Sequence, residues 1–143
     1  MKISRLIILG VVLLGVSSAF AQKNKYLDDQ IKYVWNEYLS EYNFSNDYDI
    51  TYDNLNNSAT DSYGVELDSS LSYQIVAVCD KDCGDIDLFL YDERGNLVDD
   101  DETDDDFPIV GVSPRISQEY TLKVKMYNCE IEPCRFAIAV FER

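Results

Sequence analysis

The chain has 143 residues, with 27 Asp and Glu against 12 Lys and Arg and a net charge of −15. Such an acidic chain repels polyanions, because Lys and Arg contacts to phosphate supply most non-specific affinity for nucleic acid; DNA, RNA and anionic membrane surfaces are disfavoured as partners. Histidine is absent, which removes Ser-His-Asp and Cys-His catalysis and imidazole metal sites, whereas 46% apolar residues and eleven tyrosines are enough to build a core.

Residues 1–21 read as an export leader. Met1 to Arg5 is a short basic start, Leu6 to Val16 a continuous apolar stretch, and Ala19-Phe20-Ala21 places small residues where a signal peptidase reads. Leu6 to Ala21 is 16 residues, short of the ~17–25 of a membrane span, so cleavage before Gln22 is expected rather than stable membrane insertion. Removing 21 of the 143 residues leaves 122, one domain's worth. Lys2 and Arg5 leave with the leader, taking the net charge from −15 to −17. The mature protein is expected to be secreted or periplasmic.

Residues 22–45 are expected to contain an amphipathic helix. Leu27, Ile31, Val34, Trp35, Tyr38 and Tyr42 recur at helical spacing, Asn24 stands where a cap would, and Asp28 and Asp29 suit the first turns. The stripe is expected to pack on the protein's own sheet, the alternative being a docking helix for a protein partner.

From residue 46 to 143 the pattern changes to short apolar runs of period two, separated by Asn, Asp, Ser and Gly. This predicts an antiparallel β-sandwich, jelly-roll-like in kind, so the fold class is all-β with one preceding helix. Seven strands are expected, over Tyr48 to Tyr52, Tyr63 to Leu67, Leu71 to Cys79, Asp85 to Tyr91, Phe107 to Val112, Tyr120 to Tyr127 and Arg135 to Phe141. Asp92-Glu93-Arg94-Gly95-Asn96 supplies the Gly and Asn of a tight hairpin turn. Four cysteines in an exported domain favour two disulfides, and three pairings can be drawn. Short spacing favours the local pairs Cys79 with Cys83 and Cys129 with Cys134 over a four-cysteine zinc site.

The acidic segments carry the chemistry. With Ile86 in the core, Asp85 and Asp87 share the opposite face of their strand, ~7 Å apart. Nine of the fifteen residues from Asp92 to Asp106 are acidic. Calcium, which takes oxygen ligands from flexible loops, would relieve their repulsion, with Asp85, Asp87, Asp99, Asp101 and Asp104 as the candidate ligands. A solvated acidic face is an equal reading of the same run. A glycosidase acid and base drawn from Asp85 and the 99–106 acids needs one carboxyl in a pocket that raises its pKa, and a crowd of exposed acids is a poor setting for that, so no enzyme activity is expected.

The segment Asp85-Ile-Asp-Leu-Phe-Leu-Tyr-Asp-Glu-Arg-Gly95, followed by Tyr120-Thr-Leu-Lys-Val124, resembles the bacterial pre-peptidase C-terminal domain family over roughly residues 60–143. The resemblance implies a small β-sandwich of the kind appended to secreted proteases, some of which bind calcium or collagen; Asp85 and Asp87 match it by position. Ser117-Gln118-Glu119 stands where the family often has Gly before the closing strand, and the domain is expected to stand alone behind its leader and helix, without a protease. The expectation is a non-enzymatic binding module, calcium-stabilised, whose partner is a protein or a polysaccharide. The alternative is an inhibitor or envelope component that docks through its N-terminal helix.

Overall fold

A computed structural model describes the backbone of residues 17–143 and the side chains from residue 24 onward. The first sixteen positions of the expected leader lie outside the described residues. Helix α1 (Ser17–Tyr38) precedes strands β1 (Asn43–Phe44), β2 (Thr51–Leu55), β3 (Thr60–Leu67), β4 (Tyr73–Cys79), β5 (Cys83–Tyr91), β6 (Leu97–Asp101), β7 (Ile109–Val112), β8 (Gln118–Cys129) and β9 (Cys134–Glu142). Two antiparallel sheets result. One runs β1-β9-β4-β7, with β2 also pairing β9, and the other runs β3-β8-β5-β6. This is the all-β sandwich with a preceding helix that the patterning predicts.

The strands follow from where their apolar residues can go. In β8, Tyr120, Leu122, Val124 and Met126 are buried, while Thr121 and Tyr127 are exposed and Lys123 and Lys125 half-exposed. Ile86, Leu88 and Leu90 of β5 enter the same inter-sheet core. Strands β4 and β9 are apolar on both faces because each is covered twice. Ile75, Ala77, Phe136, Ile138 and Val140 face the other sheet, whereas Val76, Val78, Ala137, Ala139 and Phe141 face α1.

The helix stripe therefore packs on the chain's own sheet. Leu27, Ile31 and Val34 are fully buried against it. The half-buried Trp35 meets Phe44 edge-on at 5.0 Å between ring centroids, and its Nε1 donates to the Tyr42 carbonyl at 2.8 Å. Two details differ from expectation. The helix already includes residues 17–23, so Asn24 lies inside it and does not cap it; its side-chain oxygen accepts from Arg135 Nη2 instead. The helix also stops at Tyr38, short of Tyr42. The amide of Tyr42 bonds the Leu39 carbonyl in a turn, and Asn43–Phe44 is taken by pairing with Glu142 and Phe141 of β9, so sheet pairing begins before residue 46. Among the described residues no helix is long and apolar enough to cross a membrane.

Both local disulfides are present, Cys79 with Cys83 and Cys129 with Cys134. The pairing of Cys83 with Cys129 in the β5–β8 ladder brings them to one end of the sandwich. Two disulfides in so small a domain indicate an oxidising compartment. The expected first strand is shifted to Thr51–Leu55, where it follows β1 along β9. The acidic segment expected as a loop supplies a further strand, β6, paired with Leu88 to Tyr91 of β5.

Candidate cation site at an acidic corner

Each candidate carboxylate is placed by strand parity. Ile86 is fully buried between the sheets, and Asp85 and Asp87 flank it on the outer face of β5, as the alternation requires. That face is not open to water here. Asp85 keeps only 7% of its surface and Asp87 only 2%, which sequence alternation alone does not reveal. The chain leaving β6 continues beside β5, where the Asp105 carbonyl accepts the Ile86 amide at 3.2 Å. A register irregularity on either side of Asp85 marks the same stretch, a common way to re-aim side chains at a sheet's end.

The two buried acids are treated differently. Lys125 of β8 stands opposite Asp87 in the ladder, its Nζ 3.8 Å from Asp87 Oδ2. Burial still lifts the Asp87 pKa above the ordinary carboxylate value, while Lys125 pulls the other way. Asp85 Oδ1 is buried without a hydrogen-bond partner. Burial first, then the charges of Asp87, Asp104 and Asp105, push the Asp85 carboxyl up to about 6. Asp85 thus lacks the compensation that a buried charge needs.

Asp99 and Asp101 stand elsewhere. They pair with Leu90 and Leu88 of β5, so by parity they lie on the side turned toward the other sheet. There they bind the free edge of β7: Asp99 Oδ2 accepts the Gly111 amide at 2.7 Å, and Asp101 Oδ2 accepts the Ile109 amide at 2.9 Å. Their other oxygens accept the amides of Asp100 and Thr103. The two carboxylates therefore stitch one sheet to the other along the β6–β7 margin, satisfying edge donors that would otherwise lack protein partners. Truncating Asp101 to Ala should cost about 1–3 kcal/mol, the range for orphaned buried groups. Asp100→Ala, whose side chain is exposed, should change stability by less than ~0.5 kcal/mol; urea unfolding of the two variants measures the contrast.

Of the five residues singled out by sequence, Asp85, Asp87 and Asp104 thus share one corner, and Asp99 and Asp101 are used by β7. Asp105 belongs with the first group, and sequence reasoning passed it over among equivalent acids. Asp104 is exposed, and among the described residues its carboxylate makes no hydrogen bond. Among the described residues no group of three or more acidic or cysteine side chains stands close enough to hold a metal ion as placed.

The hairpin between β5 and β6 forms as expected. Gly95 adopts φ 81°, and Asp92 Oδ1 accepts the amides of Arg94 and Asn96. Beyond this corner, the outer face of β5 and β8 carries a second surface. Lys123 Nζ lies 4.2 Å from the Phe89 ring centre, and Lys125 Nζ lies 4.6 Å from that of Tyr127. Of the eleven tyrosines only Tyr33, Tyr38 and Tyr127 are exposed, so packing accounts for the rest. No family model matches the chain, and no curated protein matches it.

Proposed function

We propose that the protein is an exported, non-enzymatic β-sandwich binding module whose acidic corner is stabilised by calcium, with Asp85 as the buried ligand. The observation that carries this reading is the Asp85 carboxylate oxygen, buried and without a partner, beside a chain segment that brings the like charges of Asp104 and Asp105. A hard divalent cation bound by oxygen ligands supplies the missing counter-charge. Asp104 and Asp105 are the segment's candidate ligands, and Asp87 adds negative charge. The resemblance of residues 85–95 to pre-peptidase C-terminal domains supports the same assignment, and the leader at 1–21 together with two disulfides supports export.

The partner, a protein or a polysaccharide, is assigned to the outer face of β5 and β8. The outer face of the other sheet is covered by α1, whereas this one offers Tyr127 and the Lys123 side chain laid over Phe89. Aromatic rings and lysine stems give large contact area at low entropic cost. A partner docked on the helix would have to use the exposed Tyr33 and Tyr38, because the apolar stripe is covered.

Thermal unfolding of the mature, oxidised protein in calcium, magnesium and chelator tests the cation. Calcium at ~100 times its dissociation constant should stabilise by about 2.7 kcal/mol, a rise of several degrees in a domain this size. An unfolding midpoint that is the same in millimolar calcium and in chelator overturns the calcium assignment.

A further inference from the structure

The two long margins of the sandwich are closed unequally. On one, Asp99 and Asp101 join β6 to β7. On the other, where β3 faces β2, the join among the described residues is made at two points. The Tyr48 hydroxyl accepts the Glu66 amide at 2.8 Å and donates to the Glu66 carbonyl at 2.6 Å, and the Tyr63 hydroxyl donates to Asp53 Oδ2 at 2.9 Å.

Around Tyr63 the edge is open. Glu66 turns its amide and carbonyl away from β8 toward Tyr48, so by alternation Ser62 and Gly64 also present theirs outward. The Ser62 amide is held only by the neighbouring Asp61 side chain. Behind this stretch a slot of about 340 Å³ enters between the sheets, lined by Tyr48, Thr51, Tyr63, Val65, Ile138 and Val140 among others. Solvent reaches the core through it: Val65, Ile138 and Val140 keep 5–6% of their surface, whereas Leu88, Leu90, Val124 and Met126 keep none.

The charges around the slot select its occupant. Asp49 lines the slot, Asp61 and Glu66 are exposed on β3 beside it, and Glu119 of β8, on the outer face, places Oε1 3.3 Å from where a side chain on Gly64 would begin; Lys123 and Lys125, opposite Ser62 and Thr60 in the ladder, lie over the rings of Phe89 and Tyr127. A second copy of this chain would bring the same acids against themselves, so self-pairing is opposed. We infer that the β3 edge between Thr60 and Gly64 accepts an extended cationic segment of a partner protein, added as a further strand. Its backbone would bond Ser62 and Gly64, one aliphatic side chain would enter the slot, and Lys or Arg at alternate positions would meet the acids. This site is independent of calcium and lies at the edge of the sheet whose face is assigned to partner contact.

The probe is a peptide as long as β3 that alternates valine with lysine, titrated in chelator against the mature, oxidised protein and followed by backbone-amide NMR. Saturable shifts should be confined to residues 48–51 and 60–66, and the peptide alternating valine with glutamate should not bind. Gly64→Pro removes the outward amide, and an edge strand tolerates proline there; it should abolish binding while the remaining amide spectrum is retained. Glu66→Gln with Glu119→Gln, both at exposed positions of the outer face, should weaken binding by about tenfold and flatten its salt dependence. Failure of the lysine peptide to bind at millimolar concentration, equal binding of the glutamate peptide, or undiminished binding by both variants overturns the inference.

Discussion

In chelator at pH 8, Asp85→Asn is expected to be more stable than the wild-type protein, by on the order of 3 kcal/mol, and at pH 4 the two should be equal. The Asp85 carboxyl titrates near 6 in the folded chain and near ~4 when unfolded. The folded state therefore holds the proton more tightly. Between those values the unfolded state binds fewer protons than the folded one, so stability falls as pH rises from about 4 through 6 and is flat above. Holding the proton to about 6 in place of ~4 corresponds to about 3 kcal/mol. Asparagine keeps the shape and removes the charge, so the penalty disappears. Calcium should close the gap: at ~100 times its dissociation constant the wild-type protein gains about 2.7 kcal/mol at pH 8, and the variant, lacking the buried carboxylate, gains little. Urea unfolding of both proteins at pH 4 and pH 8, with and without calcium, measures all of this. A variant less stable than wild type in chelator at pH 8 would show that Asp85 already has a compensating partner.

Phe141→Ala should cost about 3–5 kcal/mol, the range for deleting a fully buried aromatic ring, and should loosen α1 from its sheet. Phe141 is fully buried, 4.5 Å from Phe44 and 6.3 Å from Trp35 between ring centroids, so its removal opens a cavity under the helix. Trp35 is the single tryptophan, and its emission should shift to the red as water enters. Phe136→Ala offers the comparison. Phe136 is buried to the same degree in the inter-sheet core beside Tyr63, so it should cost a similar amount and leave the tryptophan emission of the folded state unchanged. Equal emission from both folded variants would mean that the helix does not depend on this sheet face for its packing.

The contrast between these two residues shows what kind of information the chain carries locally. Phe141 and Phe136 lie in a run, Phe136 to Phe141, that is apolar at every position. Such a run announces a strand covered on both faces, and the stripe of Leu27, Ile31 and Val34 announces a helix looking for such a face. Both are legible because burial of apolar area is set by side-chain type and by the periods of 2 and 3.6. The same holds for the two disulfides, where spacing limits the partners, and for the hairpin, where Gly95 provides the positive φ. The hairpin turn at Asp92 to Asn96 calls for a second arm, but nothing within residues 97–101 marks a strand of this length, because Asp is poor in strands by propensity. That segment becomes β6 through its ladder with β5 and the two β7 amides that Asp99 and Asp101 satisfy, neither of which is local.

The candidate site divides along the same line. Composition marked the acidic segment, and parity put Asp85 and Asp87 on one face of β5. Which carboxylates are available to an ion was decided by tertiary structure, since every Asp in the run looks alike until its neighbours are known. Asp99 and Asp101 met the donors of an unpaired strand edge, Asp87 met Lys125 at 3.8 Å, and Asp85 met chiefly other acids, with Lys125 a weaker opposing charge. Fold class and core residues were thus determined by the sequence alone, because hydrophobic periodicity is a property of the chain. The solvation and partners of each carboxylate were decided only when strands distant in sequence were brought together, because burial of a charge depends on what surrounds it.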